Sequence, residues 1–375
     1  NLHGIDLDSR AVQLAQLGLY IKARKKQRKL GSLTFNVVSS DFYLPEYDTV
    51  RHIFEEGGSL DANQKALIAD IWGDLQYAHK FGSLIRLDEK LKERLRGLLS
   101  QKTKQERLFS DQELGIQPTP TQLEIFLEND IAQEQEFIRR FFDSLKNAVA
   151  QYAHAQGSSF LTSQAQDAVT FLELLNQHYD VAAANPPYTD SGDFGPELKI
   201  FVEANYKKPD KFHANLYAAF IKRCYEFAKA DGKIAMIHPH TFMFIKTFED
   251  VRKFMVEKTH IDYLVDLGLD RVNLFGPGIL LDATFYVLSK SKSPVDGVYI
   301  NLTTNLQEKH KKSKFEEALE DLLAGRKNDR VYTLAQSKLK IIQSWPFIYW
   351  ISDEFREKFG GLTIKEIGHP TLGLK

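Results

Sequence analysis

Four consecutive residues near the middle of the chain, Asn185-Pro186-Pro187-Tyr188, are of types that could hold a planar amine. Proline has a fixed φ and no backbone N–H, so two in succession end a strand and stiffen the turn that follows. A residue that precedes proline is kept extended, which applies here to Asn185. The sequence therefore predicts a rigid loop that presents an amide side chain, a peptide carbonyl and an aromatic ring.

The chemistry that suits this set is attack by an aromatic amine, such as the exocyclic nitrogen of adenine. That nitrogen is a poor nucleophile because its lone pair is delocalised into the ring. The Asn185 side-chain oxygen and the Pro186 carbonyl could accept both amino hydrogens and stabilise the charge that develops during attack. Tyr188 offers a ring on which the base can stack. Alignment of the amine with a methyl donor would supply the remaining rate acceleration through proximity.

The elements around this loop indicate an open α/β sheet. The strand at residues 179–184 is small and apolar, as expected of a central parallel strand, and it runs directly into Asn185. Open α/β sheets bind ligands at the carboxyl ends of their strands. Helices alternate with strands, which is typical of βαβ units. The other predicted strands lie at residues 1–6, 35–38, 233–237, 261–267, 280–288 and 298–302, the last two as a strand pair or hairpin.

The predicted helices at residues 9–25, 215–229 and 248–257 fit this alternation, and Asp8 is placed to cap the first of them. One long helical stretch, from about residue 50 to residue 160, interrupts it. A parallel crossover needs only about a dozen residues, so the excess is expected to form a subdomain. The fold class is therefore Rossmann-like α/β: a mostly parallel sheet, an antiparallel strand near the end and a large helical insertion.

This organisation divides the sequence into four expected segments. Residues 1–48 would form the N-terminal part of the sheet and residues 49–165 the helical insertion. Residues 166–305 would form the rest of the sheet with the loop, and residues 306–375 a C-terminal helical or linker region.

Composition excludes several classes of protein. The chain has 375 residues, of which 43% are hydrophobic and 26% charged, which rules out disorder, collagen and a coiled coil. Its 49 basic and 50 acidic side chains nearly cancel, so nucleic-acid contact would need a local patch. A single cysteine, Cys224, fits a reducing cytosol. No apolar run approaches the ~20 residues of a membrane span, and no metal-ligand spacing is found, so a cytoplasmic protein without a metal is predicted.

The loop resembles the target loop of amino-methyltransferases that use S-adenosylmethionine, which reads Asn/Asp-Pro-Pro-aromatic. Gly4–Asp8 resembles the second strand of that family, and the resemblance implies that Asp6 hydrogen-bonds the cofactor ribose. Residues 40–42 resemble the third-strand segment. There Asp41 would contact the adenine amino group of the cofactor, and Phe42 would contact its ring.

Further segments follow in the order that the family shows. Residues 213–220 and 232–239 resemble the helix and strand after the target loop, and residues 274–278 resemble a later loop in which Phe275 would stack on a flipped base. This order is similar to that of DNA adenine-N6 methyltransferases of the gamma arrangement. The helical insertion and residues 362–375 resemble the large enzymes of BREX phage exclusion (the PglX type) and of fused type IIG restriction–modification.

The resemblance implies a site-specific, adenine-specific DNA methyltransferase of a phage-defence or restriction–modification system. Asn185, Pro186, Pro187 and Tyr188 would be its catalytic residues, S-adenosylmethionine its cofactor and double-stranded DNA with a flipped adenine its partner. Other subunits of the defence system are candidate partners.

A first strand with a Gly-rich loop and a target-recognition domain belong to this family and are not found among these residues. We therefore expect a piece of a longer protein, and this predicts that the piece alone binds cofactor weakly and is inactive. Two alternatives stay open. The same loop would suit a protein glutamine amide or an RNA adenine, and the chain could instead be a non-catalytic DNA-binding or scaffolding fragment.

Overall fold

The structure is a computed structural model that describes residues 2–27, 35–55, 60, 62–94, 136, 138–154, 160–270, 281–303 and 310–361. The chain divides into two compact units, unit 1 at residues 1–177 and unit 2 at residues 178–375. Each unit has a sheet of its own. The division into four segments stays a prediction.

Unit 1 begins with the elements β1 (His3–Asp6), α1 (Ser9–Lys26) and β2 (Asn36–Ser39). The two strands pair in parallel, with Asp6 opposite Ser39, so both strands end at the same edge. The side chain of Asp8 accepts a hydrogen bond of 2.9 Å from the backbone N–H of Arg10. This bond satisfies one of the free N–H groups at the start of α1, and it confirms Asp8 as the predicted N-cap.

The other regular elements in the described part of unit 1 are helices. They are α2 (Tyr47–Glu55), α3 (Ala62–Leu75), α4 (Ala78–Phe81), residues 87–94 as α5, residues 138–154 as α6, and α7 (Phe160–Asn176). In α2 the buried residues Val50, Ile53 and Phe54 are spaced three and four positions apart, which places them on one face of an amphipathic helix. Trp72 and Phe141, at most 1% exposed, add large side chains to the core. The predicted helical stretch after the second strand is thus confirmed for the described residues.

Unit 2 contains a six-stranded mixed sheet. Its elements are β3 (Tyr179–Ala184), α8 (Pro196–Tyr206), α9 (Leu216–Phe227), β4 (Ala228–Pro239), α10 (Glu249–Lys258), β5 (His260–Asp270), β6 (Leu281–Ser289), β7 (Gly297–Asn301), α11 (Lys311–Leu323), β8 (Val331–Leu334) and α12 (Asp353–Glu357). The strand order is β3-β4-β6-β5-β7-β8, with β6 and β8 antiparallel to the other four. The predicted α/β class, with an antiparallel strand near the end, is confirmed.

Two predicted details of this sheet are wrong. β6 and β7 do not pair with each other, because β5 lies between them. Ile261, Leu264 and Val265 of β5 are at most 2% exposed, so this strand is the buried one that needs a neighbour on each side. β3, expected at the centre, has β4 as its one strand neighbour among the described residues, and its Val181 is 57% exposed.

No helix in the described ranges has both the length and the apolar character needed to cross a membrane.

Candidate active site

The target loop, as we call residues Asn185–Tyr188, leaves the sheet of unit 2 at the carboxyl end of β3. The last residue of that strand, Ala184, pairs with Met236 of β4. Pro186 is buried, whereas Asn185 and Pro187 are exposed. The buried proline anchors the loop at its centre and leaves the amide of Asn185 open to solvent.

A hydrogen bond inside the target loop fixes the amide of Asn185 beside the ring of Tyr188. The Tyr188 hydroxyl donates to Oδ1 of Asn185 at 2.6 Å, and its oxygen also lies 3.5 Å from the carbonyl oxygen of Ile237 in β4. Burial raises the pKa of Tyr188, so the hydroxyl keeps its proton at neutral pH. A carboxamide oxygen has two lone pairs, and Oδ1 can therefore accept a second hydrogen bond from a ligand.

Asn215, which the sequence analysis did not single out, ties the far end of the loop to α9. It is 2% exposed, and its Oδ1 caps the helix by accepting from the backbone N–H of Tyr217 at 3.0 Å. Its Nδ2 donates to Oδ1 of Asp190 at 2.6 Å and lies 3.5 Å from the carbonyl oxygen of Tyr188. An asparagine at the start of an apolar helix is a recognisable N-cap signal. Its contacts with Asp190 and Tyr188 join residues that are 25 and 27 positions apart, and a local signal does not show them.

A layer of buried rings lies next to these residues. The rings of Tyr217 and His238 stack with centroids 4.4 Å apart and planes at 7°. Nε2 of His238 lies 2.8 Å from the Tyr286 hydroxyl, and the Tyr217 hydroxyl lies 3.2 Å from Oγ1 of Thr241. Burial lowers the pKa of His238 to about 3, so this imidazole is neutral and acts as a packed, hydrogen-bonded part of the core.

His240, two residues further on, is in a different electrostatic environment. Its Nδ1 lies 3.0 Å from Oδ1 of the buried Asp266, and its Nε2 lies 3.8 Å from Oδ2 of Asp282. Burial disfavours the charged imidazole, but the hydrogen bond with Asp266 and the charges of both carboxylates together raise the pKa of His240. Among the described residues, no group of three or more His, Cys, Asp or Glu side chains is arranged to hold a metal ion.

In unit 1, the carboxyl ends of β1 and β2 bring together Asp6 and Asp41, which we call the acidic edge. Both residues are exposed. The backbone N–H of Ser40 donates to the Asp6 carbonyl at 2.9 Å, and the N–H of Asp41 donates to Oγ of Ser39 at 3.0 Å. Oδ1 of Asp6 accepts from the N–H of Asp8 at 2.8 Å. The two acids therefore lie at one edge, as the strand pattern predicts, and their role with the cofactor stays a prediction.

The aromatic residues beside the acidic edge face opposite ways. Phe42 is 2% exposed, and its ring packs edge-on against Phe171 with centroids 5.5 Å apart. This position corrects the expectation that Phe42 offers its face to a ligand, because its ring is part of the core. Tyr43, its neighbour, is 68% exposed, and the centroid of its ring lies 4.8 Å from that of His79. Phe275, the predicted base-stacking residue, lies outside the described residues.

Comparison with known proteins identifies the family. The sequence profile of the Eco57I restriction-modification methylase family matches residues 1–275. This range covers most of the chain, all of the acidic edge and the whole target loop, and the chain therefore belongs to this family.

Two curated relatives align over nearly the whole chain. The adenine-specific methyltransferase PglX of Lacticaseibacillus casei (strain Zhang) is 23% identical over 357 residues, which is 94% of this chain and 25% of the relative. The adenine-specific methyltransferase BrxX of Escherichia coli O9:H4 (strain HS) is 24% identical over 382 residues, which is 96% of this chain and 27% of the relative. The chain spans about a quarter of the length of these relatives.

A third relative matches over a shorter region. The type II restriction enzyme and methyltransferase RM.Eco57I of Escherichia coli is 29% identical over 107 residues, which is 27% of this chain and 10% of the relative. These similarities confirm the resemblance to enzymes of the PglX type and of type IIG restriction–modification.

Proposed function

We propose that this protein transfers a methyl group from S-adenosylmethionine to N6 of an adenine in double-stranded DNA, as part of a phage-defence or restriction–modification system. Family membership and the names of the two long-matching relatives support the reaction class. The observation that carries the proposal is the target loop, where an exposed amide is fixed beside a ring by a 2.6 Å hydrogen bond.

The target loop would hold the adenine amine by two oxygens. Oδ1 of Asn185 keeps one lone pair after accepting from Tyr188. No hydrogen bond within the described part of the chain uses the carbonyl oxygen of Pro186, so this oxygen offers the second acceptor. Accepting both amino hydrogens draws the nitrogen towards tetrahedral geometry, and the two oxygens then stabilise the positive charge that develops on it.

The acidic edge would hold the cofactor, which supplies an electrophilic methyl group when bound. The exposed carboxylates of Asp6 and Asp41 are acceptors, and they match the hydroxyl and amino donors of a nucleoside. The exposed ring of Tyr43 is better placed than the buried ring of Phe42 to lie against a base. We therefore assign Asp6, Asp41 and Tyr43 to cofactor binding and Phe42 to the core.

DNA is the substrate that the family favours, and flipping an adenine out of the duplex costs a few kcal/mol. An RNA adenine and a protein glutamine amide carry a similar planar amine and remain the alternatives to be tested.

The test is to incubate the purified full-length protein, of which this chain is the expected piece, with methyl-labelled S-adenosylmethionine and, separately, duplex DNA, RNA and a release-factor-like protein. Nucleosides and amino acids from each digest are then analysed by mass spectrometry. The proposal expects labelled N6-methyladenine from duplex DNA alone. Label in RNA, in glutamine or on cytosine would contradict it, and so would cofactor binding without transfer to any substrate.

A further inference from the structure

A fully buried arginine in α12 of unit 2 has no hydrogen-bond partner among the described residues. Arg356 of α12 is 0% exposed, and none of its three side-chain nitrogens has a hydrogen-bond partner in the portion of the chain that the structure describes. The carboxylate of Asp353, three residues earlier, instead lies 2.5 Å from Nζ of Lys338. A buried guanidinium with unused N–H groups is unfavourable, so this side chain requires an acceptor that the described residues do not provide.

A second arginine shows how the same unit satisfies a buried guanidinium that has a structural role. Arg252 is also 0% exposed, but all three of its nitrogens donate to backbone carbonyls. Nη1 reaches the carbonyls of Phe242 and Ile245 at 2.7 Å, and Nε and Nη2 reach the carbonyl of Ser344 at 3.1 and 2.8 Å. The hydrogen-bond donors of Arg252 are therefore all satisfied within the described residues, and those of Arg356 are not.

Two buried tyrosine hydroxyls of unit 2 also lack a hydrogen-bond partner among the described residues. They belong to Tyr299 and Tyr349, whose rings stack with centroids 4.9 Å apart. Burial raises the pKa of Tyr299, and the positive charge of Arg356 opposes that shift, so the guanidinium and the phenol lie within electrostatic reach. Both groups are donors that need an acceptor, and both would be satisfied by an anion.

We propose that Arg356 binds a carboxylate. The planar guanidinium presents paired N–H groups that match the two oxygens of a carboxylate. Arg356 is 0% exposed, so formate, the smallest carboxylate, is the probe for a freely diffusing ligand. The other source of the same group is an acidic side chain of the protein. This inference concerns α12 and β7 and does not depend on the proposed methyl transfer.

Hydrogen–deuterium exchange of the full-length protein, read from peptides that cover residues 346–361, tests this site. The wild type is compared with Arg356→Met in formate and in gluconate, a carboxylate too bulky to enter, at equal ionic strength. For a free anion, formate slows exchange in the wild type about tenfold at ten times its dissociation constant and has no effect on Arg356→Met. The comparison between variants removes general salt effects.

If an acidic side chain fills the site, Arg356→Met speeds exchange in both buffers, because it leaves that carboxylate unpaired, and Arg356→Lys partly restores protection. Arg252→Met is the matched control, and it should speed exchange near Ser344 regardless of formate. The proposal is overturned if formate does not slow exchange in the wild type and Arg356→Met either exchanges no faster than the wild type or is not partly rescued by Arg356→Lys.

Discussion

The target loop and the acidic edge are both built where strands end, but they are held in different ways. In the loop, two prolines fix the backbone and side chains bind one another, as in the 2.6 Å bond from Tyr188 to Asn185. At the edge, Asp6 and Asp41 are exposed, and the backbone positions them. A preorganised loop suits stabilisation of a reacting amine, whereas exposed carboxylates suit recognition of a ligand. Substitutions in the two regions should therefore affect different steps.

The largest effect is expected from Asn185→Ala. Loss of a positioned acceptor should lower the rate of labelled methyl transfer about 10²–10³-fold. Cofactor affinity, measured by calorimetry, should stay unchanged, because Asn185 belongs to the target loop. Asn205→Ala is the matched control, since Asn205 of α8 bonds to the carbonyl of Phe201 in its own helix. Transfer near the wild-type rate in Asn185→Ala would remove the assigned role.

The reverse pattern is expected from Asp6→Ala. A hydrogen bond to a charged group is worth ~1.5–3 kcal/mol, so cofactor affinity should fall about 10–100-fold. The transfer rate at saturating cofactor should recover. Asp8→Ala serves as control: it removes the cap of α1, which costs ~1 kcal/mol of stability, but it should leave cofactor affinity unchanged. If both variants bind cofactor equally well, the acidic edge is not the cofactor site.

A smaller effect, about tenfold on the transfer rate, is expected from Asn215→Asp. The new carboxylate can still cap α9, but it faces the carboxylate of Asp190 across a contact that is 2.6 Å in the structure. The repulsion should shift the target loop, and a tenfold lower rate corresponds to a barrier that is about 1.4 kcal/mol higher. Combining it with Asp190→Asn restores a donor–acceptor pair and should recover most of the rate. If the double variant is no faster than the single one, Asn215 does not position the loop through Asp190.

The smallest effect on binding separates the two aromatic residues beside the acidic edge. Tyr43→Ala should weaken cofactor binding about fivefold, because a stacking contact on an exposed ring is placed at the lower end of the range, ~1 kcal/mol, and should leave stability nearly unchanged. Phe42→Ala should instead lower the free energy of unfolding by about 3–5 kcal/mol. Chemical denaturation and calorimetry on both variants measure the difference. The assignment is reversed if Phe42→Ala is stable and binds cofactor poorly.

Local sequence signals predicted much of the fold. The strand before the target loop is found at residues 179–184 as expected, and Asp8 caps α1. Partners of strands were harder to predict, because periodicity shows that β6 and β7 are strands but not that β5 separates them. The short edge strand β8 was not predicted, because four residues are too few to show a clear alternation of apolar and polar side chains.

In the candidate site, too, local sequence signals do not give the direction of a side chain or its distant partners. Two adjacent aromatic residues, Phe42 and Tyr43, alternate in direction, and the sequence does not say which of them points inward. Asn215 could be expected as a helix cap, but its bond to Asp190 joins residues that are far apart in sequence.

The most direct measurement is a structure of the protein with duplex DNA and a non-reactive cofactor analogue. The account predicts one flipped adenine whose N6 lies about 2.7–3.2 Å from both Oδ1 of Asn185 and the carbonyl oxygen of Pro186. An adenine bound elsewhere, or an N6 that contacts neither oxygen, would contradict the account.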